Sequence, residues 1–178
     1  MSSPARLAVI VGNPRAASRT HGLADRAARA VAAAAGWTAE PELVDLAALG
    51  PLLLAPERAP AVDAAVRATL DADVLVVASP TYKATYTGLL KVFLDNFGAG
   101  SLAGTVALPI LLMGAPQHAL AVEVHLRPLL VELGATVPSP GLAVLEADLG
   151  RLDEVLDGWV AKVAPAVRAT LADRDPAG

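Results

Sequence analysis

The 178-residue sequence contains no cysteine. This absence excludes disulfide bonds, thiolate catalysis, and zinc or iron–sulfur sites built on sulfur. Three histidines are present, His21, His118 and His125, and the last two are seven positions apart. Two turns of helix would separate them by roughly 10 Å, which is too far for a shared metal ion. We therefore predict that the protein has no metal site.

The sequence also lacks long apolar runs and an excess of positive charge. Its longest apolar run, Val106–Met113, has eight residues, whereas a membrane helix needs roughly 18. The formal net charge is −4 at pH 7, which argues against nucleic-acid binding. The apolar stretch near the amino terminus is too short for a secretion signal and leads directly into a Gly-Asn-Pro turn. We expect a soluble, cytoplasmic protein that binds neither membranes nor nucleic acid.

Hydrophobic residues are plentiful even though aromatic ones are scarce. They make up 54% of the chain, against 3% for aromatic residues, so a disordered chain is excluded. This length is sufficient for one domain with a hydrophobic core, and we predict a single domain over residues 1–178. Residues 172–178 are polar and lie at the end of the chain, so we expect them to fray.

Short apolar runs alternate with helix-type segments along the chain. The predicted strands are Leu7–Val11, 42–46, 73–79, Val106–Met113 and 141–146, and the predicted helices are 18–35, 62–70, 88–97, 118–133 (kinked at Pro128) and 152–171. Continuous apolar strands indicate burial on both faces, hence a parallel sheet covered by helices. Five such units predict an α/β, flavodoxin-like three-layer sandwich with a five-stranded parallel sheet in the order 2-1-3-4-5.

In such a sheet, ligands bind beyond the carboxyl ends of the strands, where the strand order reverses. That rule brings together the loops at 12–20, 79–86 and 114–118. We therefore expect the functional site at this edge of the sheet.

The first of these loops, "GNPRAASRT", combines positive charge with hydroxyl groups. Arg15 and Arg19 supply the charge, Ser18 and Thr20 supply hydroxyls, and the start of a helix supplies free N–H groups. The loop is neither a Walker loop nor the dinucleotide G-x-G-x-x-G. Its composition favours a phosphate monoester, and the alternative is an ordinary capped helix with surface arginines.

The second loop, "SPTYKATYTG", contains both tyrosines of the chain. Its backbone N–H groups and threonine hydroxyls could meet the polar edge of a flat heteroaromatic ring, against which Tyr82 could pack. Lys83 could add positive charge near a ring that gains electrons. The alternative is a loop whose tyrosines only cover the core. In the third loop, Gly114 would let the backbone approach a ligand closely.

Three motifs together resemble the NAD(P)H-dependent FMN reductases. They are "GNPRAASRT" after the first strand, "SPTYKATYTGLLKVFLDNF" after the third, and "PILLMGAPQHALAVEVHLRPLL" at 109–130. The sequence is most similar to the reductase components of two-component alkanesulfonate monooxygenase systems, and the likeness spans residues 6–146.

The resemblance implies FMN as cofactor and NADPH or NADH as hydride donor. By position in the motifs, the phosphate would be held by Asn13, Arg15, Ser18 and Thr20, with Arg19 beside them. The isoalloxazine edge would be held by Pro80, Thr81, Tyr82 and Lys83, with Gly114 approaching from the next loop. The family needs no catalytic acid–base residue, because hydride transfer depends on alignment.

The resemblance also implies a homodimer or homotetramer with contacts through the helix at 86–97, and a flavin-dependent monooxygenase as partner. Two positions depart from the family pattern. Asn13 replaces the usual serine, and Val124 and His125 stand where the alkanesulfonate branch carries a tyrosine in a π-type bulge.

Two alternatives to a flavin-supplying reductase therefore stay open. One is an enzyme that retains FMN and reduces quinones or azo dyes. The other is a non-enzymatic flavodoxin-type electron carrier, which a charge of −4 and few aromatic residues fit poorly.

Overall fold

The computed structural model describes residues 5–173, in which five parallel strands form one sheet. The strands are β1 (Leu7–Val11), β2 (Glu42–Asp45), β3 (Val74–Pro80), β4 (Val106–Met113) and β5 (Leu142–Leu145). Their order is β2-β1-β3-β4-β5, with all neighbours parallel. The predicted fold class and strand order are therefore confirmed. Of the tail expected to fray, residues 174–178 lie outside the described part of the chain.

Within residues 5–173, four α-helices connect the strands and a fifth follows β5. They are α1 (Arg19–Ala35), α2 (Pro60–Leu70), α3 (Gly88–Leu94), α4 (Arg127–Glu132) and α5 (Leu152–Ala172). Helix α3 is three residues shorter than predicted, because turns replace the helix after Leu94. Within residues 5–173, none of the helices combines the length and apolar character that crossing a bilayer requires.

Two apolar layers flank the sheet, as the period of two in a strand requires. In β1, Val9 and its odd-numbered neighbours pack with α1 and α5. Ile10 points the other way and packs with the layer that includes residues of α2 and α3. All five residues of β1 are buried, which explains why its sequence is continuously apolar rather than alternating.

Both ends of α1 follow from local sequence. Ser18 is the N-cap, and its hydroxyl oxygen accepts a hydrogen bond from the His21 N–H at 3.2 Å. Gly36 ends the helix in the left-handed conformation with φ of 75°, where glycine carries no steric cost. The observed bounds agree with the predicted helix over 18–35 to within one residue, and the N-terminal end of α1 lies at the carboxyl edge of the sheet.

Pro109 lies in the middle of an interior strand, where proline usually removes a ladder donor. Ala107 donates its N–H to the Thr136 carbonyl oxygen at 2.8 Å. Because backbone groups alternate in direction along a strand, the nitrogen of Pro109 points to the same side of β4 as that of Ala107. Strand β5 begins to pair only at Leu142, opposite Ile110. Position 109 therefore faces the gap between Thr136 and Leu142, and no ladder bond is lost.

The segment after β4 is not the single helix predicted over 118–133. A 3-10 turn spans Pro116–His118, a π-helix spans Val122–Leu126, and α4 follows directly. The Arg127 N–H reaches back five residues to the Val122 carbonyl. Pro128 supplies the physical reason, because it has no N–H for the carbonyl four residues earlier and its ring would collide with that group. The wider π turn accommodates both constraints where a kink was predicted.

The ion pair between Glu123 and Arg127 holds the π-helix against the segment that precedes β5. Glu123 and Arg127 are paired, and the Glu123 carboxylate also accepts the Gly141 N–H at 2.6 Å. Arg127 in turn donates to the carbonyls of Val137 and Ser139 at 2.8 and 2.6 Å. The hydrogen bond from Arg127 lowers the pKa of Glu123, and the Gly141 N–H acts in the same direction.

Replacing Glu123 by Gln should lower the free energy of unfolding at neutral pH by about 1–2 kcal/mol, because a charge-assisted bond to Arg127 is lost. A lowered pKa stabilises the fold above the ordinary carboxyl value of 4.5 and ceases to do so as pH falls through the lowered value. Urea unfolding from neutral to acidic pH should therefore show Glu123→Gln converging with the wild type below that value. Glu132→Gln on α4 is the control, since Glu132 is exposed. A gap that persists in acid would contradict the assignment.

Candidate functional site

Two loops at the carboxyl edge of the sheet are joined by the Thr87 side chain. The Thr87 hydroxyl donates to the Gly12 carbonyl oxygen at 2.6 Å and accepts the Leu90 N–H at 3.2 Å as the N-cap of α3. The Thr87 N–H donates to the Ser79 hydroxyl at 3.0 Å. Ser79 and Thr87 therefore hold the loop after β1 against the loop after β3.

Asn13 shapes the first loop from inside. Only 7% of its surface is exposed, its side-chain oxygen accepts the Arg15 N–H at 2.9 Å, and its amide donates to the Thr20 hydroxyl at 3.0 Å. Ala17 adopts a left-handed conformation with φ of 48°, which turns the chain into α1. Because the Thr20 oxygen accepts from Asn13, its own hydrogen can be donated elsewhere. The structure thus gives Asn13 an organising position in the loop.

The start of α1 offers several unpaired hydrogen-bond donors close to Arg15. Among the described residues, no acceptor takes the backbone N–H groups of Arg19 and Thr20, and no acidic side chain lies in the first helical turn. The Arg15 guanidinium has no hydrogen bond or ion pair within residues 5–173. Such an arrangement attracts anions, since the helix start carries partial positive charge and arginine carries a full one.

The second loop contains a tight turn with unusual backbone angles. Tyr82 and Thr85 form an isolated antiparallel bridge, with N–H to carbonyl distances of 2.8 and 3.3 Å. Between them, Lys83 and Ala84 have φ of 52° and 69°, the signature of a type I′ turn that usually requires Asn or Gly. Left-handed backbone costs a side-chain-bearing residue about 1–2 kcal/mol. Strain of this kind concentrates at binding sites.

Polar groups and an exposed ring accompany this turn. The Thr81 N–H donates to the Leu112 carbonyl oxygen at 2.8 Å, which anchors the loop to the end of β4. Its hydroxyl oxygen is buried without a partner among the described residues, and Tyr82 is 44% exposed. The exposed Tyr82 ring offers a flat heterocyclic ligand a surface to pack against, and the Thr81 hydroxyl is a buried polar group whose hydrogen-bonding capacity is unused among the described residues.

A cavity of about 500 Å³ lies between the two loops. Seven predicted site residues line it: Asn13, Arg15, Ser18, Arg19, Thr20, Pro80 and Tyr82. Thr81 and Lys83 belong to the same turn but are not among the lining residues. Gly114 is also not among the lining residues. A Cβ built on it would meet no atom within 4 Å. Packing within the protein therefore does not require glycine there.

Four lining residues were not predicted from the sequence: Ala16, Ala17, Leu112 and Glu146. The two alanines lack polar side chains, but their place between Arg15 and Ser18 could have indicated that they line the same loop. Leu112 is near the end of β4, beside the loop after β3. Glu146 follows β5 and pairs with Arg19 at 2.9 Å. No local sequence signal connects Glu146 to a loop more than a hundred residues earlier.

These residues fit a mononucleotide that carries a terminal phosphate. The donors at the start of α1 and the unpaired Arg15 suit the phosphate, and the cavity volume is in the range of ligand pockets. The strained turn and the exposed Tyr82 ring suit a polar ring system. Within residues 5–173, no cluster of three or more potential metal-binding side chains is present.

The strand order and the ligand loops at the switch point define a flavodoxin-like α/β protein. The model of the NADPH-dependent FMN reductase family matches residues 5–149. The chain therefore belongs to the NADPH-dependent FMN reductase family, which confirms the resemblance seen in its motifs.

Individual relatives agree with this assignment. The chain is 31% identical over 176 residues to the NADH-dependent FMN reductase SfnE of Pseudomonas putida, across 97% of this chain and 90% of the relative. It is 36% identical over 132 residues to the FMN reductase (NADPH) of Escherichia coli strain K12, across 73% and 68%. The apo structure of the NADH:FMN oxidoreductase EMOB has a TM-score of 0.75 at 33% identity, across 88% and 89%. The predicted reaction class, NAD(P)H-dependent reduction of FMN, is confirmed by these matches.

Proposed function

We propose that this protein takes up FMN in the cavity between the loops after β1 and β3 and releases it in reduced form to a flavin-dependent monooxygenase. The observation that carries this proposal is the convergence of the Arg15 guanidinium and the start of α1 on one open cavity beside the strained turn. The reaction would draw on the cytoplasmic pool of reduced nicotinamide nucleotide.

The residues divide into two groups by the part of FMN that they would hold. Arg15, the Ser18 and Thr20 hydroxyls, and the N–H groups of Arg19 and Thr20 would bind the phosphate. Thr81, Tyr82 and Lys83 would hold the ring edge, with Gly114 leaving room for close approach. Bound FMN supplies the hydride-accepting chemistry. The chain contributes alignment and the positive charge of Lys83, so no proton-transfer residue is required.

The solvent exposure of the side chains that would bind FMN favours exchange of the flavin. Arg15 and Tyr82 are exposed, and the Arg19 side chain is 63% exposed and already paired with Glu146. Contacts made by exposed charges are screened by salt, which favours dissociation of the ligand. A site built from such contacts is suited to a flavin that binds, reacts and leaves.

A homo-oligomer is part of the same proposal. Leu120, Val124 and Val131 are 70%, 56% and 53% exposed, around and within the π-helix and α4. Burial of exposed apolar surface such as this would favour association with a second subunit. We place a second region of subunit contacts over 86–97, which comprises α3 and the residues on either side of it.

An absorbance spectrum of the purified protein, followed by gel filtration and an assay of NADPH and NADH oxidation with and without FMN, tests this function. We expect a colourless protein, eluting as a dimer or tetramer, that oxidises a reduced nicotinamide only when FMN is supplied. A yellow protein that retains flavin through gel filtration and needs a quinone or azo dye would assign it the bound-flavin alternative. The absence of both flavin binding and turnover would overturn the proposal.

A further inference from the structure

Glu146 is a carboxylate that lines a cavity otherwise suited to anions. It is the first residue of the 3-10 helix Glu146–Arg151, directly after β5. Its carboxylate lies 2.9 Å from Arg19, with the two side chains 38% and 63% exposed. A negative charge at this place works against phosphate binding. The fold brings it there from more than a hundred residues beyond the loop after β1.

The charges that line the cavity show how strongly Glu146 affects the local net charge. Among the described residues they are two arginines, Arg15 and Arg19, and one carboxylate, Glu146, giving a net formal charge of +1. Neutralising Glu146 would double this charge. It would also free the Arg19 guanidinium, which otherwise has to exchange its carboxylate partner for a phosphate.

We propose that Glu146 lowers the affinity of the cavity for the FMN phosphate and so speeds flavin exchange. The inference rests on the proposed function, because it assumes that the cavity holds the phosphate of FMN. Two effects act in the same direction. The carboxylate repels the phosphate directly, and it competes with the phosphate for Arg19. Both are electrostatic, so both should weaken when salt screens the charges.

The test is the affinity of FMN and of riboflavin, measured by fluorescence titration for the wild type and Glu146→Gln. At low ionic strength, about 20 mM, we expect Glu146→Gln to bind FMN roughly three- to tenfold more tightly and release it more slowly. Riboflavin lacks the phosphate, so its affinity should not change. In about 0.5 M salt the gain for FMN should shrink towards nothing.

Two further variants separate charge from shape. Glu146→Asp keeps the negative charge and should bind FMN like the wild type. Asp148→Asn removes a carboxylate from the same 3-10 helix, where Asp148 pairs with Arg151 rather than lining the cavity. We expect it to leave FMN affinity unchanged. Removing Arg19 by Arg19→Ala should weaken FMN binding more in the Glu146→Gln background than in the wild type, because only there is Arg19 unpaired.

The outcomes distinguish this inference from the proposed function. If the wild type binds FMN no more tightly than riboflavin, the phosphate site is wrong and both proposals fail. If the wild type prefers FMN but Glu146→Gln binds it equally well, the role of Glu146 alone is overturned. Weaker FMN binding by Glu146→Gln would also overturn it, because the carboxylate would then be positioning Arg19 for the phosphate.

Discussion

Arg15→Ala should weaken FMN binding by about 1.5–3 kcal/mol, a factor of roughly 10–150 in the dissociation constant. Arg15 lines the cavity, and its guanidinium has no ion pair within the described residues. A phosphate would therefore be its first charged partner. Since no internal contact of the side chain is broken, the free energy of unfolding without ligand should remain within about 0.5 kcal/mol of the wild type.

Titration with FMN and riboflavin checks this expectation. The loss should be confined to FMN, because riboflavin has no phosphate for Arg15 to bind. Arg67→Ala provides a matched loss of one positive charge on α2, where Arg67 is exposed and is not a lining residue. If Arg15→Ala binds FMN as well as Arg67→Ala does, the phosphate does not bind at Arg15.

Gly12→Ala should lower the free energy of unfolding by about 2–3 kcal/mol and impair FMN binding at the same time. A Cβ at this position would lie 2.7 Å from the Leu90 Cβ. Because the Leu90 Cβ is fixed by the backbone of α3, no rotamer change can move it away. Gly12 is also held by its N–H bond to the Ala78 carbonyl at 2.7 Å and by the Thr87 hydroxyl at 2.6 Å. The added methyl group must therefore displace the joint between the two ligand loops.

Urea unfolding followed by circular dichroism, together with FMN titration, measures both effects. Gly22→Ala is the control, because a Cβ at Gly22 in α1 meets nothing within 4 Å. Alanine in a helix interior is favoured over glycine, so Gly22→Ala should be as stable as the wild type or more so. Wild-type stability and FMN affinity in Gly12→Ala would show that the loop after β1 can move away from α3 at little cost.

The candidate site shows which features local sequence motifs can predict and which they cannot. The donor-rich loop after β1 was recognisable because charge, hydroxyls and a helix start are adjacent in sequence. The structure refined it by showing that the Asn13 amide is engaged with Arg15 and Thr20. The strained turn at Lys83 and Ala84 was not predictable, since neither residue type favours a left-handed backbone. Only the structure shows it, through the bridge between Tyr82 and Thr85 and the positive φ of the two residues between them.

In the segment after β4, the sequence correctly indicated a disturbance of the helix but predicted the wrong type of element. Pro128 was recognised as a disturbance, and a kinked helix over 118–133 was predicted. The structure instead contains a π-helix held by Glu123 and Arg127 through contacts with Val137, Ser139 and Gly141. Those contacts reach residues 10 to 18 positions further along the chain, outside the helical segment, so periodicity within the segment could not indicate them.

The sequence by itself determined the class of fold and the strand order, and it indicated where the candidate site would lie. Those features depend on burial patterns, helix caps and the rule that ligands bind where parallel strands end, all of which can be read from neighbouring residues. The tertiary structure alone decided that the Arg19 side chain faces Glu146, that Gly12 must be glycine against Leu90, and that Thr87 joins the loops. Each depends on the distance between residues far apart in sequence, which only the packing of the layers fixes.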